Sequence, residues 1–200
     1  MFKRILYFGL LFVIAFSFIS CDNEPNELQS FYNEMEGVWY SRSNNLVFSL
    51  NSKGEGYAID SSGYTPLTLT FYKNNDSLYI RWSFTSSDGV TVSFEKPVEE
   101  SEEETDIEKL SDKPAIDSGI SQTHDANIVG HWGTENVYNA DGTGKCNLYI
   151  SGAYVLLDIN WSTNNGVLTR VFYKDEAVYK TVNNAYVIYQ KDGHRWLMLL

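Results

Sequence analysis

Short runs of alternating apolar and polar residues recur through most of the chain. In the first half they cover residues 46–50, 67–72, 79–84 and 90–94. A period of two points successive side chains to opposite faces of a strand, so each run predicts a strand with one buried face. Clusters of Ser, Asn, Asp and Gly separate the runs, and such turn signals favour antiparallel hairpins.

The second half continues the same pattern. Alternation over 146–150 and 155–161 predicts two strands, and it groups Cys146 with Leu148 and Ile150. A cysteine on such a face is interpreted as a small core residue rather than a nucleophile. Further strand candidates are residues 167–173, 177–182, 185–191 and 195–200, with Asn183 and Asn184 as a turn between two of them.

Helical spacing precedes the first predicted strand. Leu28, Phe31, Tyr32 and Met35 recur at intervals of one helical turn, behind Asn26 as a candidate cap. The predicted fold class is therefore all-β, with two antiparallel β-domains and a short N-terminal helix.

Residues 96–127 differ in composition from the segments on either side. They contain 10 acidic and 3 basic residues, and no aromatic residue occurs between Phe94 and Trp132. Such a segment buries too little apolar surface to fold alone, which favours a solvated linker with a short helix over 99–110. The alternative is an acidic docking or cation-binding tract. The predicted organisation is a signal peptide (1–20), a lipidated tether with the helix (21–36), a first β-domain (37–95), the linker (96–127) and a second β-domain (128–200).

The N-terminus has the pattern of an export signal. Lys3 and Arg4 precede an uncharged apolar run over 5–19, which is too short to span a membrane as a helix. Ser20 and Cys21 follow directly and look like a bacterial lipobox, in which cleavage precedes the cysteine and its thiol is acylated. We expect lipidation at Cys21; an ordinary secreted protein is the alternative.

Acylation of Cys21 would make the membrane a partner through the lipid anchor. The acidic residues that follow, Asp22 and Glu24, resemble a surface-export signal of some bacterial lipoproteins. The expected location is the bacterial cell envelope, as an outer-membrane lipoprotein on its periplasmic or surface face.

Charge excludes one class of partner. The chain has 15 basic and 26 acidic residues, and loss of Lys3 and Arg4 with the signal peptide changes its net charge from −11 to −13. Nucleic acid is not an expected partner, because phosphate binding needs a basic face. With two cysteines in 200 residues, a disulfide-rich scaffold is also excluded.

The two halves resemble each other. Gly37-Val38-Trp39 opens the first and Gly130-His131-Trp132 opens the second, and each is followed by a strand and a turn with two glycines, at 53–56 and 141–144. Each half later has a Trp-bearing strand, at Trp82 and Trp161. This is an internal repeat with a spacing near 93 residues.

The Gly-x-Trp tripeptides and the Asp-Gly-Thr-Gly turn over 141–144 resemble the lipocalin-like domains of bacterial lipoproteins. The resemblance implies two small lipocalin-like barrels or sandwiches. It also implies that Trp132 and Trp39 close one end of each domain, that Arg195 packs on Trp132, and that a small ligand binds at the mouth. Each half predicts six or seven strands, whereas a closed lipocalin barrel has eight.

Motifs for known chemistry are absent from the sequence. No zinc-ligand spacing, nucleophile elbow, phosphate-binding loop, dinucleotide fingerprint or calcium loop occurs. We therefore expect no catalytic residue, no metal ligand and no cofactor, and a non-enzymatic protein. A glycoside hydrolase built from converging acids is the alternative. Its candidate acids are Glu135, Asp158, Asp175 and Glu176.

Aromatic residues are the remaining signal. Trp82 and Trp161 share strand faces with apolar residues and are predicted to be buried, structural side chains like Trp39 and Trp132. Outward aromatic rings can stack on sugar rings, although packing over neighbours is the ordinary role of strand Tyr. The candidate ligand contacts are Tyr72, Tyr79, Tyr179 and Trp196.

The expected function is that of a lipid-anchored cell-envelope binding or accessory protein for a glycan, a small hydrophobic ligand or an envelope protein. A ligand-binding module predicts a concave apolar pocket or an exposed aromatic stripe. The alternative, a structural or protein-interaction lipoprotein, predicts neither, and an unpaired sheet edge instead. A hydrolase predicts acids that converge in a cleft.

Overall fold

The computed structural model describes residues 24–75, 77–98, 107–116 and 123–200. These residues form two seven-stranded antiparallel sheets and one short helix, which confirms the prediction of an all-β fold with an N-terminal helix. The chain divides into two compact units. Unit 1 contains the described residues of Met1–Ala58 and Thr65–Ala115, and unit 2 contains those of Ile59–Tyr64 and Ile116–Leu200.

The first sheet follows helix α1, Glu24–Met35. Its strands are β1 Gly37–Ser41, β2 Leu46–Leu50, β3 Glu55–Asp60, β4 Gly63–Asn74, β5 Ser77–Thr85, β6 Thr91–Pro97 and β7 Ile107–Ser111. Their order is β6-β5-β4-β3-β2-β1-β7, so six strands meander and the seventh returns to pair with β1.

Helix α1 begins at Glu24 rather than behind the predicted cap at Asn26. Pro25 lies in its first turn, where a missing backbone N–H costs nothing because the helix has no partner for it there. Phe31 and Met35 are buried in the core of the first sheet. The helical spacing of the apolar residues is thus the spacing of one buried helix face.

One core cluster lies against the first sheet. It is built from inward side chains of β2, β3, β4 and β5. Trp39 of β1, Phe94 of β6 and Ile107 of β7 pack against the same cluster. Because strands from both ends of the sheet reach one cluster, the sheet curves around its core.

The predicted linker is wrong over part of its length. Lys96 and Pro97 belong to β6, and Ile107–Ser111 forms β7, where a helix was expected. Ile107 packs against the core cluster and Leu110 is buried, and β1 supplies the backbone partners of this segment. Residues 99–106 and 117–122 lie outside the described residues.

The end of the predicted linker also belongs to a folded unit. Asp125 is buried, and its carboxylate accepts hydrogen bonds from the Tyr186 hydroxyl at 2.8 Å and from the Asn127 backbone N–H at 2.9 Å. Ile128 is fully buried in the core of unit 2. The segment that precedes the second Gly-x-Trp therefore packs against the sheet it leads into.

The second sheet is a seven-stranded meander. Its strands are β8 Gly130–Trp132, β9 Asn136–Tyr138, β10 Thr143–Ile150, β11 Ala153–Asn164, β12 Val167–Lys174, β13 Ala177–Lys191 and β14 His194–Leu199. They lie in the order β14-β13-β12-β11-β10-β9-β8. Trp132 of β8 and Leu197 and Leu199 of β14 pack against one core cluster, so this sheet also curves around its core.

The turn predicted at Asn183 and Asn184 is wrong, because both residues lie inside the 15-residue strand β13. Asn183 pairs with Thr169 in the ladder to β12. The Asn184 side chain accepts a hydrogen bond from Arg170 Nη2 at 2.7 Å and donates one to the Leu200 carbonyl at 3.1 Å. These side-chain hydrogen bonds satisfy a polar residue that would otherwise favour a turn. The first half of β13 pairs with β12 and the second half with β14.

Helix α1 is too short and too polar to cross a membrane, and the part of the chain that the structure describes contains no other helix.

Candidate functional site

The tryptophans of the two Gly-x-Trp tripeptides have the same local geometry. The indole N–H of Trp39 donates to the Met35 carbonyl at 2.9 Å, and that of Trp132 donates to the Ile128 carbonyl at 2.6 Å. In each case the acceptor lies four residues before the tryptophan. The ring is thereby fixed against the segment that precedes the first strand of its own sheet.

A cation from the last strand of each sheet covers each of these rings. Lys109 Nζ of β7 lies 5.1 Å from the Trp39 ring centroid, and Arg195 Cζ of β14 lies 5.2 Å from the Trp132 centroid. Arg195 Nη2 also donates a hydrogen bond to the Asn127 carbonyl. Both distances are within the range of cation–π attraction. The contact of Arg195 with Trp132 is the one that the lipocalin-like resemblance implies.

The repeat extends to the glycine turns but not to the buried tryptophans. The Leu69 N–H donates to the Gly54 carbonyl and the Trp161 N–H donates to the Gly142 carbonyl, both at 2.7 Å. Leu69 is therefore the counterpart of Trp161. Trp82 lies on the fifth strand of its sheet, whereas Trp161 lies on the fourth, so these two do not correspond as the sequence suggested.

The two sheets differ in the position of the last strand. In the first sheet β7 pairs directly with β1, and Trp39 lies opposite Lys109 in the ladder. In the second sheet β14 pairs with β13, and β8 has β9 as its partner. An open space between β8 and β14 takes the place of the strand pairing seen in the first sheet.

This space is a cleft of about 630 Å³, which we call the β8–β14 cleft. Trp196, one of the predicted ligand contacts, is 52 % exposed at the cleft, and Trp132 is half-buried. His194 and Arg195 are the basic side chains of the lining, and no acidic residue within the described ranges lines it. The residues that line it are Trp132, Gly133, Asn136, Tyr138, His194, Arg195, Trp196, Leu197 and Leu199.

Buried polar groups lie behind this wall. Burial raises the pKa of the Tyr138 hydroxyl far above its usual range, and burial also raises the pKa of the Cys146 thiol. Both groups therefore stay neutral at pH 7, and Cys146 lacks the thiolate needed for nucleophilic chemistry. The Arg170 guanidinium is buried near them and donates to Asn184.

The predicted contacts Tyr72 and Tyr79 form a separate patch on unit 1. Their rings stack with centroids 5.6 Å apart, and Arg81 Cζ lies 5.0 Å from the Tyr72 centroid. Glu95 accepts hydrogen bonds from the Tyr72 hydroxyl at 2.8 Å and from Arg81 at 2.8 and 3.0 Å, and the Arg81 hydrogen bonds lower the pKa of this carboxyl. These polar groups are already occupied by one another.

Tyr179, the fourth predicted contact, does not line the β8–β14 cleft. It is 46 % exposed on β13, and Lys174 Nζ lies 5.9 Å from its ring centroid. Of the four predicted contacts, Trp196 lines the cleft, and Tyr72 and Tyr79 stack on each other at a separate patch.

The exposed end of the β10–β11 hairpin forms a second surface, and its residues are not among the four predicted ligand contacts. The end of the β10–β11 hairpin, residues 147–157, exposes Tyr149 by 63 % and Tyr154 by 74 %, with ring centroids 5.2 Å apart. Strand β11 pairs with β12 only from Asp158 onward, so no described strand pairs with this edge of residues 153–157. No charged residue occurs over 146–157, and this uncharged run is a sequence signal for the exposed hairpin.

The candidate acids of a hydrolase have other roles. Asp158 forms an ion pair with Lys145 at 2.9 Å, and Glu135 accepts a hydrogen bond from Asn147. Asp175 and Glu176 form the turn between β12 and β13. Within residues 24–75, 77–98, 107–116 and 123–200, no group of three or more His, Cys, Asp or Glu side chains is placed to hold a metal ion.

No protein-family model matches this chain, and neither a curated protein nor a solved structure matches it.

Proposed function

We propose that this chain is a non-enzymatic binding protein of the bacterial cell envelope, anchored by a lipid on Cys21, that takes a small ligand in the β8–β14 cleft. The observation that carries the proposal is the cleft itself, with the half-exposed ring of Trp196 beside an apolar wall. Its volume of about 630 Å³ falls within the range common for ligand pockets. Glycans and small hydrophobic ligands are the classes that suit such a lining.

The proposed anchor rests on the sequence, because Cys21 and residues 1–20 lie outside the described residues. Helix α1 begins at Glu24, three positions after Cys21 in the sequence, so a lipid on that cysteine would hold unit 1 close to the membrane. Cys21→Ala should release the protein from membrane fractions and remove the lipid mass from its N-terminal peptide. Recovery of the wild-type protein in the soluble fraction alone would contradict the anchor.

The ligand site is tested with the soluble mature chain that carries Cys21→Ala. A library of envelope glycans and small hydrophobic compounds is titrated while calorimetry records binding. Trp196→Ala should abolish binding of any ligand found, since Trp196 contributes the exposed ring of the cleft. Tyr154→Ala removes an even more exposed ring elsewhere and should leave binding unchanged. Loss of binding in Tyr154→Ala with unchanged binding in Trp196→Ala would place the ligand at the β10–β11 hairpin.

The open edge of β11 favours a second candidate function, that of a protein-interaction lipoprotein. Exposed edge strands with apolar side chains accept a strand from a partner protein. Leu156 and Val155 add 45 % and 37 % exposed side chains to this edge. In-cell photo-crosslinking from position 154 should capture an envelope protein if this function holds, whereas crosslinking from position 196 should not.

A further inference from the structure

We infer that the β8–β14 cleft selects ligands in which a ring carries an acid group, such as a uronic acid unit of an acidic glycan. This inference rests on the proposed function and specifies the chemistry of the ligand. Its basis is the combination of aromatic rings and uncompensated positive charge in one cleft.

The ring preference follows from the walls. Trp132 of β8 and Trp196 of β14 lie on the two strands that border the cleft, and Leu197 and Leu199 of β14 add apolar side chains to its lining. Indole faces bind flat apolar surfaces, including the C–H face of a sugar ring, and the exposed half of Trp196 is free to provide such a face. Arg195 covers one face of the Trp132 ring, so the flat face open to a ligand is that of Trp196, and a flexible alkyl chain would gain less from it than a ring would.

The acid preference follows from the charges in the lining. Arg195 carries positive charge into the lining, and none of the carboxylates that the structure describes lines the cleft, although the mature chain as a whole carries a net charge of −13. Beyond a Debye length of about 8 Å at physiological salt the net charge is largely screened, so the side chains in the cleft decide which ligand binds there.

The orientation of Arg195 strengthens this preference. Its guanidinium is held between the Trp132 ring and the Asn127 carbonyl, so little conformational entropy is lost when an anion binds. A guanidinium has five N–H donors, and two of them can bind a carboxylate in parallel. Among the residues that the structure describes, Arg195 has no acidic partner within ion-pair distance.

The counterpart in unit 1 shows what a purely structural cation looks like. Lys109 covers Trp39 but also pairs with Asp112 at 3.1 Å and donates to the Glu34 carbonyl at 3.4 Å. Its strand pairs with β1, so no cleft opens beside it. In unit 2 the corresponding cation is Arg195, which can bind a carboxylate through two N–H groups, lines the cleft, and has no acidic partner among the described residues.

The test compares matched ligands by calorimetry on the soluble mature chain with Cys21→Ala. The probes are a galacturonic acid trimer, the neutral galactose trimer, and a pair of aromatic compounds, benzoate and benzyl alcohol. The acid of each pair should bind at least about tenfold more tightly, since a hydrogen-bonded charge pair contributes more than 1.4 kcal/mol. If the galacturonic acid trimer binds more tightly than benzoate, the site is assigned to acidic glycans. If benzoate binds more tightly than the trimer, the site is assigned to aromatic acids.

Variants separate selection from binding. Arg195→Gln should reduce the acid-to-neutral ratio to near one while binding of the neutral probe persists, and Arg195→Lys should keep part of the ratio. Lys109→Gln is the matched control and should leave the ratio unchanged. Equal binding of acid and neutral probes by the wild type would overturn the inference and leave the proposed function standing. Absence of binding by all four probes, while other ring or alkyl ligands bind at Trp196, would likewise overturn the inference alone, and absence of any ligand overturns both.

Discussion

Arg195 of the last strand lies over the ring of Trp132 of the first strand in unit 2, with the guanidinium carbon 5.2 Å from the ring centroid. Lys109 and Trp39 repeat this relationship in unit 1 at 5.1 Å. In both units, a cation from the last strand therefore ties that strand to the tryptophan that opens the sheet. In unit 2 the two strands are not otherwise paired, so the contact connects the two edges of one sheet.

We expect Arg195→Gln to destabilise unit 2 by about 0.5–2 kcal/mol, the range for cation–π contacts at partly exposed sites. Arg195→Lys should recover part of this loss, because a charge remains above the ring. Chemical denaturation monitored by Trp fluorescence measures the difference. An unchanged midpoint for Arg195→Gln would mean that the contact is incidental to stability.

Trp82→Ala and Trp161→Ala should each cost about 3–5 kcal/mol, as expected for a large aromatic side chain removed from a packed core. Their rings are 2 % and 3 % exposed, and the Trp161 indole N–H also donates to the Asn139 and Thr143 carbonyls at 3.1 Å. Trp196→Ala, at a ring 52 % exposed, is the control and should change the unfolding free energy little. A large loss at Trp196 with small losses at the other two would reverse the packing assignment.

Gly144→Ala should destabilise unit 2 by about 1–3 kcal/mol, the usual cost of overpacking. A Cβ at Gly144 would overlap the Val137 carbonyl oxygen, and backbone has little room to move inside a paired ladder. Gly56 stands in the same relationship to Ser49 in unit 1, so Gly56→Ala should act in the same direction. Wild-type melting temperatures for both variants would show that the strands approach less closely.

The free energy of unfolding should decrease at alkaline pH because Cys146 and Tyr138 are buried. Burial raises the pKa of both groups in the folded protein, whereas in the unfolded chain a thiol ionises near pH ~8.5 and a phenol near pH ~10. The unfolded state therefore loses protons first, and the free energy of unfolding decreases as pH rises above about 8.5. Below that pH both groups are protonated in both states and contribute no pH dependence.

Denaturant midpoints of the Cys21→Ala chain at pH 7, 8, 9 and 10 measure this slope. Cys146→Ala lowers the absolute stability through a small cavity, but it should reduce the decline between about pH 8.5 and 10, where of these two groups the thiol is the one that ionises in the unfolded chain. At pH 7 a thiol reagent should not label Cys146 in the native protein, because the side chain is fully buried. It should label Cys146 once the protein is denatured. Rapid native labelling would contradict its place in the core.

Strand faces could be predicted from the sequence because a period of two is a local property. The alternation around Trp82 and around Cys146 suffices to place both on buried faces, and both are buried. Helix α1 was predictable for the same reason, from the spacing of Phe31 and Met35.

Long-range partners could not be predicted in this way. Ile107–Ser111 is a strand because β1 offers it an edge, which the acidic composition of residues 96–127 does not reveal. Asn184 stays in β13 because Arg170 and the Leu200 carbonyl bind its side chain. The β8–β14 cleft likewise depends on which neighbour the last strand pairs with. Trp196 could be proposed as a ligand contact, but the roles of Tyr138, His194 and Leu199 required the fold.

The most direct test of the binding site is to follow the five indole N–H signals by heteronuclear NMR during titration with the galacturonic acid trimer. Single Trp→Phe variants assign the signals. The signals of Trp132 and Trp196 should shift with one common affinity, while those of Trp39, Trp82 and Trp161 stay in place. Shifts at Trp39 instead, or saturation of the protein without a shift at Trp132 and Trp196, would contradict ligand binding in the β8–β14 cleft.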